Sequence, residues 1–128
     1  MALKLTLKAD EKVIIDGAVI RNGNKSVEFF VENKVPILRE KDIMPDGAAD
    51  TPARHIYFTL QLIYIDAEKR AVHLQYFLNQ ANAFIDAVPE GKPYIDDICK
   101  QLEKNRFYQA LKVARSLIDY EKEFESHE

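Results

Sequence analysis

The hydrophobic period of this chain changes once, near residue 45, and the change separates a strand-forming part from a helix-forming part. Before it the period is two. Leu3, Leu5 and Leu7 alternate with Lys4, Thr6 and Lys8, which describes a strand with one apolar face. Two apolar runs, 12–15 and 18–21, flank Asp16-Gly17, a pair suited to the positive φ angles of a two-residue type I′ turn. Asn22-Gly23 repeats the signal ahead of residues 26–32, rich in Val and Phe. Asn33-Lys34 turns the chain into 35–39, where Pro36 marks an edge or irregular strand. The expectation for residues 1–44 is a small antiparallel β meander of about five short strands.

Residues 45–50, with Pro45 and Gly47, read as a connecting loop. Thr51-Pro52 then supplies an N-cap hydroxyl and a proline for the first helical turn. That helix runs to Ile65, and Asp66 is expected to cap the next. Leu74, Phe77, Leu78, Ala81, Phe84, Ile85 and Val88 form the second helix's apolar stripe. Pro89, Gly91 and Pro93 are expected to end it. A short helix from about Tyr94 carries Ile95, Ile98, Cys99 and Leu102, and Asn105 is expected to cap a last helix striped by Phe107, Ala110, Leu111, Ala114, Leu117 and Ile118. The fold class is therefore α+β: the β meander followed by a bundle of about four helices over 51–128. So small a sheet needs cover, from the helices within one compact domain or from a second copy.

At 128 residues, 47% hydrophobic and 30% charged, the chain has the makeup of a folded domain and not of a disordered one. Its single cysteine, Cys99, excludes an internal disulfide framework. No apolar stretch approaches the ~20 residues a bilayer requires, and the alternating N-terminus does not resemble a secretory signal. A cytoplasmic protein with no membrane contact is expected. Four glycines at 17, 23, 47 and 91 make neither a dinucleotide fingerprint nor a phosphate loop. Ser26, Ser116 and Ser126 sit in no nucleophile motif, and His55, His73 and His127 lack metal-ligand spacing. Asp96-Asp97 point about 100° apart on a helix, which suits the helix dipole better than acid–base chemistry. Cys99 reads as a small core residue. No catalytic residue, metal or cofactor is expected, and the chain is not read as an enzyme.

Two groups of residues admit a binding role. Tyr57, Phe58 and Tyr64 lie in the apolar-rich stretch 56–65, on a helix apolar on more than one side. Either neighbours pack it on several faces, or its extra face meets another chain as a partner or dimer contact. On the first strand Lys4, Thr6 and Lys8 share the polar face. That face is either simply solvated or a phosphate-binding surface.

The segments 1–8 (Met-Ala-Leu-Lys-Leu-Thr-Leu-Lys) and 17–23 (Gly-Ala-Val-Ile-Arg-Asn-Gly) resemble the start of the FlbT family of flagellum-biosynthesis regulators. So do 36–43 (Pro-Ile-Leu-Arg-Glu-Lys-Asp-Ile), 51–58 (Thr-Pro-Ala-Arg-His-Ile-Tyr-Phe) and 108–112 (Tyr-Gln-Ala-Leu-Lys), in order along nearly the whole chain. The resemblance implies a post-transcriptional regulator that acts on the 5′ untranslated leader of flagellin mRNA and lowers its translation or stability. It also implies a second small regulator, FlaF, as a partner. The strand part is more distantly similar to CsrA, an intertwined all-β RNA-binding dimer, through Leu5-Thr6, Lys8, Glu11 and Ile37-Leu38-Arg39-Glu40. Leu7 stands where that family has its first-strand arginine, and Asp10 where it has a turn glycine. This likeness implies a homodimer in which Arg39 of one subunit lies near Thr6 and Lys8 of the other, and it nominates Arg39, Lys8, Thr6 and Lys4 as RNA-binding residues. The competing expectation is a protein-binding module that acts through FlaF or flagellin without touching RNA.

The net charge of −3 sets a limit on any RNA site. Residues 119–128 alone carry −4, while residues through 50 hold nine acidic side chains against eight basic. There is no general basic excess, so an RNA site must be small and local.

Overall fold

The computed structural model describes residues 2–126. The chain forms two compact units, Met1–Ile43 and Met44–Glu128. The first holds five antiparallel strands: β1 (Leu3–Leu7), β2 (Lys12–Ile15), β3 (Ala18–Arg21), β4 (Val27–Val31) and β5 (Ile37–Arg39). The second holds four helices: α1 (Pro52–Ile65), α2 (Arg70–Ala87), α3 (Lys92–Glu103) and α4 (Phe107–Ser126). The α+β class and the order of elements are as the sequence indicates.

The strands form two sheets, ordered β1-β4 and β3-β2-β5, where a single meander was expected. Only β2 and β3 are paired neighbours in sequence, joined by Asp16 (φ 50°) and Gly17 (φ 85°) in the left-handed conformation of a type I′ turn. β1 lies against β4 with Leu5 opposite Phe29, and β2 takes β5 on its other edge with Ile14 opposite Leu38. Leu5, Leu7 and Val13 are buried at the centre, with Phe29, Val31 and Ile37 packed against them.

Asn22-Gly23 is not a second hairpin turn, and Gly23 has no positive φ. Asn22 works through its side chain instead. Its Nδ2 donates to the carbonyls of Lys8 and Lys25, each at 2.8 Å, and to that of Leu7 at 3.3 Å, while Oδ1 accepts from Gly23 N–H. One amide thus ties the end of β1 to the segment entering β4.

In the helical unit Thr51 accepts from Arg54 N–H, which gives the expected cap, and Pro52 opens α1. α1 packs against α2 and α4, and α3 against α4. Three expected boundaries differ. Asp66 closes α1 and does not cap α2, which is entered from Lys69 with no side-chain cap. Pro93 lies in the first turn of α3, where its missing N–H costs nothing, so it starts that helix and does not serve as a stop for α2. Asn105 closes α3 and does not cap α4. With φ 56°, its N–H bonds Leu102 O while Arg106 N–H bonds Gln101 O, the paired bonds of a Schellman motif. Among the described residues no helix is long and apolar enough to cross a membrane.

Candidate nucleic-acid interface

The alternation on β1 buries Leu5 and Leu7 and leaves Lys4, Thr6 and Lys8 on the open face. Leu7 belongs to the core and has no side chain to offer RNA. After Lys8 the chain turns sharply. Asp10 takes φ 62°, Glu11 N–H bonds Lys8 O at 3.1 Å, and Lys8 N–H returns a bond to Glu11 Oε1 at 2.8 Å. The Asn22 amide holds this turn from the other side.

β5 brings Arg39 to the same place. Its Nη2 donates to the carbonyl of Thr6 at 2.8 Å and stands 3.9 Å from Glu11 Oε2. The Glu11 carboxylate therefore faces Arg39 with one oxygen and the Lys8 backbone with the other. Of the four residues nominated for RNA, three are gathered here: Arg39, Thr6 and Lys8. They meet within one chain, through a side chain reaching the β1 backbone. The fourth, Lys4, is drawn across the strand pair to Glu28 at 3.2 Å, an exposed ion pair of little stabilising worth. An open depression of about 490 Å³ is lined by Lys8, Ala9, Asp10, Glu11, Glu40 and Lys41, and Glu40 accepts from Lys12 N–H at 3.1 Å. Arg21 pairs with Asp10 at 3.2 Å. Among the described residues, Lys8, Lys12, Lys25, Lys34 and Lys41 make no ion pair. The strand unit holds eight basic and seven acidic side chains, and the helical unit ten and fourteen.

The aromatic candidates lie elsewhere. Tyr57 is 2% exposed and its hydroxyl accepts from Arg115 Nη2 at 3.1 Å, so it is a core residue and is not available as a partner contact. Phe58 is half-buried beside Thr59 and Leu62, and Tyr64 packs on Tyr108 with centroids 6.0 Å apart. Of the apolar residues in 56–65, Ile56, Tyr57, Leu60 and Ile63 are buried, while Phe58, Leu62, Tyr64 and Ile65 are half-buried. Within that run Gln61 is buried and closes two bonds on Met44, accepting from its N–H at 2.7 Å and donating to its carbonyl at 3.0 Å. Burial, with Asp96 and Glu103 nearby, pushes the Cys99 thiol up, the opposite of an activated nucleophile. The sequence contained no local signal for Gln61 or for the bonds of Asn22 to Leu7 and Lys8, because only the folded chain brings those groups close.

The family model for "Flagellar protein FlbT" matches residues 3–124. The chain belongs to the FlbT family. A "Probable flagellum biosynthesis repressor protein FlbT" of Caulobacter vibrioides is 37% identical, over 99% of this chain and 92% of its own. FlbT 1 of Bradyrhizobium diazoefficiens is 39% identical over 94% of this chain and 83% of its own. Agrobacterium fabrum has a FlbT 29% identical over 98% of this chain and 85% of its own. No solved structure matches the chain.

Proposed function

We propose that this protein regulates flagellin synthesis after transcription, its strand unit binding the 5′ untranslated leader of flagellin mRNA and lowering translation or message lifetime. Family membership supports the flagellar role, since the relatives are named flagellum biosynthesis repressors. The observation that carries the RNA contact is the placement of Arg39. One nitrogen anchors the guanidinium on Thr6 O, and its side chain remains 39% exposed. An arginine has five N–H donors in a planar fork, so the anchored group retains donors for a phosphate or a base edge. Lys8, Lys12 and Lys41 add phosphate attraction, and Lys4 adds more when RNA displaces Glu28. The target is unpaired leader nucleotides, because the A-form duplex hides base identity in its deep groove.

The test uses the full chain and the flagellin leader RNA. With Arg39→Ala, leader affinity is expected to fall about tenfold or more, the worth of one bidentate contact, and Arg39→Lys retains only the phosphate component. Wild-type binding should weaken roughly ten- to a hundredfold between ~50 and 200 mM salt, as three or four single-strand phosphate contacts require. Unchanged affinity in a folded Arg39→Ala protein removes Arg39 from the site. Absence of leader binding, together with salt-insensitive binding of FlaF or flagellin, replaces the RNA reading with the protein-binding one.

A further inference from the structure

An exposed helix face of a water-soluble unit ordinarily carries Lys and Glu. α2 does not. Residues 71–85 contain no Asp, Glu, Lys or Arg, in a chain that is 30% charged. One face, with Phe77, Ala81 and Phe84, is buried. The opposite face is open, with Val72 68% and Tyr76 60% exposed, alongside exposed Gln75, Asn79, Asn82 and Ala83. Depletion of charge with retention of tyrosine and apolar groups is the composition of an interface core and not of a solvated surface.

We propose that this face of α2 pairs with the same face of a second copy of the chain, antiparallel across a two-fold axis. Lys69, Val72, Tyr76, Asn79, Ala83 and Asp86 recur at alternating intervals of three and four, the seam spacing of a left-handed helix pair. Antiparallel pairing centred between Phe77 and Leu78 sets Lys69 against the second copy's Asp86, Val72 against its Ala83 and Tyr76 against its Asn79. Each layer then combines a large side chain with a smaller one, or a cation with an anion. Neither Lys69 nor Asp86 makes an ion pair within the chain among the described residues. A parallel pair would oppose like charges at both ends, align the helix dipoles and place Tyr76 on Tyr76. Amides donate and accept, so Gln75, Asn79 and Asn82 can meet copies of themselves without like-charge repulsion. The seam is a single helix, smaller than the about 800 Å² per partner of a standard interface, so micromolar association is expected. This inference is independent of the RNA reading.

Sedimentation equilibrium of the full chain over a wide concentration range tests it. The expected result is reversible association to twice the 14.8 kDa chain mass. Ala83→Glu, at an exposed position, should give monomer with an unchanged helical circular-dichroism spectrum. Asp86→Lys should weaken association about tenfold or more, with each 1.4 kcal/mol a factor of ten. Combining it with Lys69→Asp should restore dimerisation. Monomer at every concentration overturns the proposal, as does a dimer indifferent to Ala83→Glu. Failure of the double swap to recover what Asp86→Lys loses overturns the antiparallel register.

Discussion

Replacing Asn22 by Asp changes one nitrogen to oxygen and separates two accounts of the Asn22-Gly23 pair. If Asn22 were a turn residue, Asp would serve as well, because Asp-Gly suits a type I′ turn. As a side-chain staple it would not. Nδ2 donates to Lys8 O and Lys25 O at 2.8 Å and to Leu7 O at 3.3 Å, and a carboxylate has no proton to place there. Two good bonds at about 1 kcal/mol each are lost, and a charged oxygen then faces the same carbonyls, for a total of about 2–4 kcal/mol. A unit of about 43 residues has a stability of only a few kcal/mol to lose. Urea unfolding followed by backbone amide resonances of residues 3–39 should therefore show the strand unit largely unfolded in Asn22→Asp, with helical circular dichroism retained. Leader binding should fall with it, since the Lys8–Glu11 turn beside Arg39 is held by that amide. A protein with unchanged midpoint for the strand resonances would refute the staple and restore the turn reading.

Two other perturbations address the helical unit. Gly91 has φ −80°, an ordinary angle, but a Cβ there would stand 2.5 Å from Phe84 Cε1 in a buried contact. Gly91→Ala should cost about 1–3 kcal/mol through overpacking, read as a lowered urea midpoint of the helical signal; a neutral result would show that Phe84 yields freely. Asp66 accepts from His73 Nε2 at 3.0 Å, and chiefly that bond holds its carboxyl below the usual 3.8. A depressed acid stabilises the fold fully above its unfolded pKa and loses that contribution as pH falls through the folded value. Asp66→Asn should accordingly flatten the loss of helical stability below about pH 3.8 while lowering stability at neutral pH, and parallel acid titrations that superimpose would disprove the coupling.

What the sequence revealed of this fold was its local chemistry. Asp16-Gly17 specifies its turn by backbone angles that few other pairs adopt, and Thr51-Pro52 specifies a helix start by a hydroxyl and a ring three atoms away. Where one residue type serves two local roles, pattern alone misassigned it. Asn105 fits an N-cap and a left-handed helix end equally well, and only the bonds from its own N–H and that of Arg106 to Leu102 and Gln101 decide between them. Strand pairing was less legible still. β1 finds β4 across two intervening strands because Leu5 and Leu7 need Phe29 and Val31, a match of faces that carries no mark in either segment. Arg39 was singled out by resemblance, yet its partner is a backbone carbonyl, Thr6 O, and a carbonyl has no sequence identity to recognise. The aromatic run left two readings open for the opposite reason. Apolar excess on a helix is the same signal whether the extra face meets a neighbouring helix or another molecule, and Tyr57 meets Arg115.

The charge distribution links the proposals. RNA attraction cannot arise from the chain as a whole, because the helical unit carries fourteen acidic side chains against ten basic and repels a polyanion. Within the strand unit the balance is eight to seven, so attraction depends on which cations are left unpaired. Arg21 and Lys4 are engaged by Asp10 and Glu28, whereas Lys8, Lys12 and Lys41 are not, and Arg39, fixed by a carbonyl, faces the Glu11 carboxylate only at 3.9 Å, which offsets part of its charge. Three or four phosphates per chain is a weak grip, since each adds only about 0.7 to the salt exponent on a single strand. Two such sites on one leader bind far more tightly than either alone when their spacing lets both engage, without a new contact. A dimer seam that bears no net charge along its centre is the kind that can supply the second site, because it holds two net-negative units together without opposing like charges at their junction.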